Sequence, residues 1–163
     1  MDGRLLVGAL SATAAVSLAM ADDLPHYKPG LWEITMVMAS KPADEKICLD
    51  ASTEKAMNDM GRSASKRLCT KAEIHSSGST YTSVATCKDD TVRSVMTFTG
   101  DSHYHLEITS HPNSGNQPNR KSSMDGKWLG ACPADMKPGD ALVSVEGLGA
   151  PMRMNILKGM AGN

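Results

Sequence analysis

The sequence predicts a mainly β protein, an antiparallel meander curled into a barrel-like or strongly bent sheet, with one short helix after the first strand. Three observations carry this. Apolar and polar residues alternate with period 2 in a series of short segments along the chain. Clusters of turn residues separate several of these segments at hairpin distance. A single segment, beginning at Asp50, carries the caps and apolar spacing of a helix. A chain of 163 residues fits one domain.

Residues 1–21 read as an address. Arg4 supplies a positive start, Leu5 to Ala19 is uncharged and small or apolar, and Ala19-Met20-Ala21 offers small residues to a signal peptidase. Cleavage is expected before Asp22, and no later segment is apolar enough to span a membrane. The predicted organisation is a signal peptide over 1–21, one β domain over 22–138, and a loosely assigned C-terminal tail over 139–163.

The first strand is residues 31–38. Trp32, Ile34, Met36 and Met38 share one face, and Pro29-Gly30 turns the chain before them. Residues 39–47 are polar and read as loop. The helix follows from Asp50 as cap to Met60, with Gly61 as a stop. Residues 71–75 and 81–86 read as a hairpin about Ser76-Ser77-Gly78-Ser79-Thr80. Residues 91–99 and 103–109 make a second hairpin about Gly100-Asp101. There Val92, Met96 and Phe98, then Tyr104, Leu106 and Ile108, form a dry face, and His103, His105 and Glu107 a wet one. Residues 111–120 are loop and 121–129 the last strand. The chain has 12 Met but only 6 aromatics, 2 Trp, 3 Tyr and 1 Phe, which implies a soft core.

A net charge of -1 provides no field to attract nucleic acid or an acidic membrane. The four cysteines, Cys48, Cys69, Cys87 and Cys132, lie beyond the leader. In an oxidising compartment an even number suggests disulfides, and no C-x-x-C pair suggests a zinc ribbon or redox site. A hairpin folded about Gly78 places Cys69 opposite Cys87, within disulfide reach. Cys48 then pairs with Cys132.

Lys28-Pro29-Gly30-Leu31-Trp32-Glu33-Ile34, Cys48-Leu49, the Cys69 to Cys87 hairpin, Gly100-Asp101-Ser102-His103-Tyr104 and Gly126-Lys127-Trp128-Leu129-Gly130-Ala131-Cys132 stand in one chain. Together they resemble the bacterial family called domain of unknown function 3617, over about residues 28–133. Lys127 and Pro133 depart from its closing pattern. The resemblance implies an exported, disulfide-bonded antiparallel β domain and implies no activity.

No catalytic motif is visible. Val145-Glu146-Gly147-Leu148-Gly149 lacks the third glycine and the βαβ unit of a dinucleotide loop. Gly100-Asp101-Ser102 sits in a hairpin and lacks G-x-S-x-G. The sequence therefore predicts a non-enzymatic periplasmic domain that binds a small apolar ligand or a protein partner, without a cofactor. Trp32 and Trp128 are the candidate ligand residues. The alternative is a Zn or Cu protein. His103 and His105 share a strand face about 6.6 Å apart, with Glu107 and His111 as further ligands. A third reading, an enzyme built from distant loops, requires His26, His75 and His103 to gather with carboxylates.

Overall fold

The computed structural model describes residues 24–38, 41–114, 117–145, 147 and 149–160. The predicted signal peptide lies outside them. The strands are β1 (Gly30–Met38), β2 (Lys41–Leu49), β3 (Cys69–Ser77), β4 (Thr80–Cys87), β5 (Asp90–Thr99), β6 (His103–Pro112), β7 (Arg120–Gly130), β8 (Asp140–Val145) and β9 (Met152–Asn155). Two helices join them, α1 (Ala51–Leu68) and α2 (Ile156–Met160). Among the described residues, nine strands form one antiparallel sheet in the order β3-β4-β5-β6-β7-β1-β2-β8-β9.

Two parts of the predicted architecture need correction. Among the described residues the sheet does not close into a barrel, because β3 and β9 are its two edges. The helix follows β2 and not the first strand. Residues 41–49 are a strand, although they read as loop. Ala43 and Ile47 continue the apolar face of β1, but Pro42 and Glu45 break the pattern that would reveal it. Within the loosely assigned C-terminal tail, Asp140–Val145 and Met152–Asn155 add β8 and β9 beside β2, followed by α2.

The pairing puts one face of the sheet in register from edge to edge. Ala43, Met36, Met124, Leu106, Met96 and Tyr81 lie in one row. Val143, Glu45, Ile34, Gly126, Tyr104 and Phe98 lie in the next. We call this the inner face, because the helix lies on it. Its core is Trp32, Ile34, Ile47, Leu49, Tyr104 and Ala141. Met57 of α1 packs against them. Tyr104 lies over the bare backbone of Gly126, where an ideal Cβ would overlap the phenol ring.

The helix dictates the shape of the sheet. It leaves β2 through Asp50 alone and enters β3 with no intervening residue. Its 18 residues are about 27 Å long at 1.5 Å per residue. Six strand spacings separate β2 from β3, about 29 Å in a flat sheet before any offset along the strands. The helix also runs from one end of the strands to the other, since Leu49 and Cys69 lie at opposite ends. A flat sheet is too wide for it, so the sheet curls towards the helix.

Glu45 is the one carboxylate among the paired inner-face residues of β1, β2 and β7. It stands between Ile34 and Val143, and makes no hydrogen bond or ion pair among the described residues. Burial raises its pKa. A carboxyl with a raised folded-state pKa contributes stability below its unfolded pKa, and that contribution is lost as pH rises through the folded value. Glu45→Gln is therefore expected to stabilise the protein at pH 7, by on the order of 1 kcal/mol. Chemical denaturation across pH checks this. The gain should shrink to nothing in acid, where the native side chain is already neutral.

Candidate functional site

The helix is anchored at its start and exposed to the sheet along its second half. Asp50 caps it, accepting from the Thr53 amide at 2.8 Å and from the Thr53 hydroxyl at 2.7 Å. Glu54, in the first turn, reaches back to the incoming chain. It accepts the Tyr27 amide at 3.0 Å and meets His26 Nδ1 at 2.6 Å. Tyr27 is locked between Trp32, Phe98 and Tyr104, with ring centroids 5.5–5.8 Å away. Burial, and then the Glu54 charge, push its phenol up to about 12. This end of the helix is tied to the incoming chain.

The other end is not. Beyond Met57 the helix stands off from the inner face of β3, β4 and β5 and leaves a groove of about 700 Å³. Met57 and Gly61 form its roof, and Ala72, Ile74, Ala85 and Val92 lie along its floor. The Cys69–Cys87 disulfide stands at one end. Gly61 is the informative residue. Its residue type predicts a helix stop, yet α1 continues to Leu68. A Cβ there would meet no atom within 4 Å. Glycine inside a helix costs roughly 0.5–1 kcal/mol relative to alanine, and here nothing packed against it demands the missing side chain. Its effect is to leave the roof bare and the groove open. The rim carries Arg62, Lys66 and Lys71. Arg62 bonds Asp59 at 3.3 Å and Lys71 pairs with Glu73 at 2.9 Å.

The residues predicted from sequence lie elsewhere. Trp32 is wholly buried, donating its indole N–H to the Lys28 carbonyl at 2.8 Å. Trp128 donates to the Pro29 carbonyl at 3.0 Å, with Lys28 Nζ 4.0 Å from its ring centre. Neither lines the groove. A Cβ on Gly30 would overlap the Gly130 carbonyl and approach the Trp128 indole, and Gly30 holds φ at +137°. Pro29, Gly30, Trp32, Trp128 and Gly130 thus meet at one corner, where β1 passes close to the end of β7. The two most recognisable motifs of the sequence are the two halves of a structural joint.

The histidine strand spreads its ligands out. His105 is engaged by Asp125, Nδ1 to Oδ1 at 2.7 Å, and its Nε2 lies 3.8 Å from Glu107. The Asp125 hydrogen bond holds its pKa above the usual histidine value. His103 reaches only its neighbour Ser102, at 3.4 Å. His111 is eight positions along β6 from His103, about 26 Å away. Among the described residues, no group of three or more His, Cys, Asp or Glu side chains is placed to hold a metal ion. His26, His75 and His103 do not gather either. His26 joins Glu54, while His75 lies on edge strand β3 and His103 on β6.

Both cysteine pairs are joined, Cys48 to Cys132 and Cys69 to Cys87. Among the described residues no helix is long and apolar enough to cross a membrane.

Fold and site together define a small disulfide-bonded β domain, one open sheet with a helical strap and a ligand-sized apolar groove beneath it. The chain belongs to the family described as protein of unknown function DUF3617, which matches residues 27–132. The match spans the joint at both its ends. No curated protein and no solved structure matches the chain.

Proposed function

We propose that the protein is an exported, non-enzymatic domain that binds a small apolar ligand in the groove between α1 and β3–β5. The observation that carries this is a mostly apolar groove of about 700 Å³, roofed by a helix that holds a glycine over it. Ligand pockets commonly measure roughly 300–1,000 Å³ and are lined chiefly by apolar groups. Export is supported by the leader-like residues 1–21 and by two disulfides, which persist in oxidising compartments.

Fluorescence titration with N-phenyl-1-naphthylamine, a neutral apolar probe, tests the reading. The native protein is expected to bind it with micromolar affinity. Gly61→Trp should fill the groove and weaken binding by about tenfold or more, the cost of roughly 1.4 kcal/mol of lost contact. Gly61→Ala should keep binding and gain roughly 0.5–1 kcal/mol of stability. Unchanged binding in Gly61→Trp, or none in the native protein, rejects the groove as the site.

A further inference from the structure

The two edges of the sheet are finished differently. The β9 edge has four residues and then turns into α2. The β3 edge is nine residues long, contains no proline, and is exposed at every position after Cys69. Such an edge is a template for another strand. Ile74 in its middle is 44% exposed, and Leu68, just before it, is 64% exposed.

The hairpin decides which backbone groups are free. Ser77 pairs with Thr80 across the two-residue turn Gly78-Ser79, so they form a hydrogen-bonded pair, and such pairs alternate along an antiparallel ladder. Ser77, His75, Glu73 and Lys71 therefore bond inwards to β4. Ala72, Ile74 and Ser76 direct their N–H and C=O groups outwards.

We infer that β3 pairs antiparallel with β3 of a second copy of this chain, about a two-fold axis at Ile74. A two-fold axis of an antiparallel pair can fall at an outward-facing or an inward-facing residue; centred on Glu73 it sets two carboxylates against each other and centred on His75 two imidazoles, so the outward-facing positions remain. Centred on Ala72, the partner strand runs into the irregularity between Cys69 and Lys71. Centred on Ser76, it runs into the turn. Centred on Ile74, residues 71–77 of both copies pair, with about six backbone hydrogen bonds at two per bonded pair. Ala72 then faces Ser76 of the second copy, and Ile74 faces Ile74.

The side chains agree with this register. Glu73 stands opposite His75 of the second copy, twice, in the pairs whose side chains approach most closely. Like charges never face each other, since Lys71 meets Ser77. On the inner face the added strand brings a second Ala72 and Ile74 alongside the floor of the groove, on its open side. The second copy thus extends that floor, although pairing requires no ligand.

Sedimentation equilibrium of the full mature chain, from low to high micromolar, is expected to show the mass doubling, and Ile74→Lys to abolish it. Two cysteine variants fix the register. Ile74→Cys should form a disulfide-linked dimer under mild oxidation, because the two sulfurs face each other, whereas Ala72→Cys should not. A mass that stays monomeric at every concentration overturns the proposal. So does a dimer that Ile74→Cys fails to cross-link, or one that Ala72→Cys links instead. A monomer whose edge captures an extended peptide also overturns it.

Discussion

Removing the Cys48–Cys132 disulfide, by replacing both cysteines with alanine, is expected to cost about 4–5 kcal/mol of stability on the loop-entropy model. Removing Cys69–Cys87 should cost about 3 kcal/mol. The difference comes from the chain each bond encloses, 84 residues of separation against 18. Position sharpens it. Cys48 is 1% exposed near the end of β2, and Cys132 follows β7, with β1 lying between those two strands. The bond therefore clasps three strands at the corner where the Gly30–Gly130 contact is made. Next to it, the Cys48 carbonyl accepts from the Gly139 amide at 2.9 Å as the chain enters β8. Cys69–Cys87 joins strands that are already paired neighbours at the end of a hairpin. Denaturant midpoints of the two double variants check the order. Equal losses, or a larger loss at Cys69–Cys87, would refute the chain-entropy account.

The same hairpin shows what the sequence could and could not disclose. Folding it about Gly78 correctly pairs Cys69 with Cys87, but the ladder beyond them runs one residue out of that register. Ile74 faces Ser83 and Ser77 faces Thr80 about a Gly78-Ser79 turn, and a shift between Cys69 and Lys71 restores the cysteine pair. A bulge of this kind has no signature in residue type. The second hairpin is legible over 91–99 and 103–109, because Phe98 faces Tyr104 and Met96 faces Leu106 on a face that alternates without interruption, but β6 runs on to Pro112, into residues that read as loop. Strand β2 was hidden by Glu45, a charge kept on an apolar face at a cost. Propensity places the end of the helix at Gly61, while the residues after it are helical because the chain runs straight from α1 into β3. The groove itself could not be read at all. It arises where a helix of fixed length crosses a curled sheet, and no local pattern records that crossing.

Trp32→Ala is expected to cost about 3–5 kcal/mol, the range for removing a large buried aromatic side chain. The indole is wholly buried, 5.7 Å centre to centre from both Tyr27 and Tyr104, and its N–H satisfies the Lys28 carbonyl. Its loss opens a cavity under the segment that leads into β1 and also strands that carbonyl. Domains of this size gain or lose roughly 2–5 °C per kcal/mol, so the melting temperature should fall by roughly 10–20 °C. Trp128→Ala should cost less, because that ring is only half-buried and its face is covered by the Lys28 ammonium, itself paired with Asp101 at 2.9 Å. The comparison separates architecture from binding. If the two tryptophans formed the ligand site, both variants would lose the naphthylamine probe while Trp128→Ala kept its stability. If they are the joint between the opening and closing motifs, stability falls in the order Trp32 then Trp128. Probe affinity measured well below the melting transition then stays within a factor of about two of the native value, since 0.4 kcal/mol or less is at stake at the groove. The groove lies across the inner face from that joint and shares none of its residues. The family motifs are therefore expected to report on folding, and Gly61 on binding.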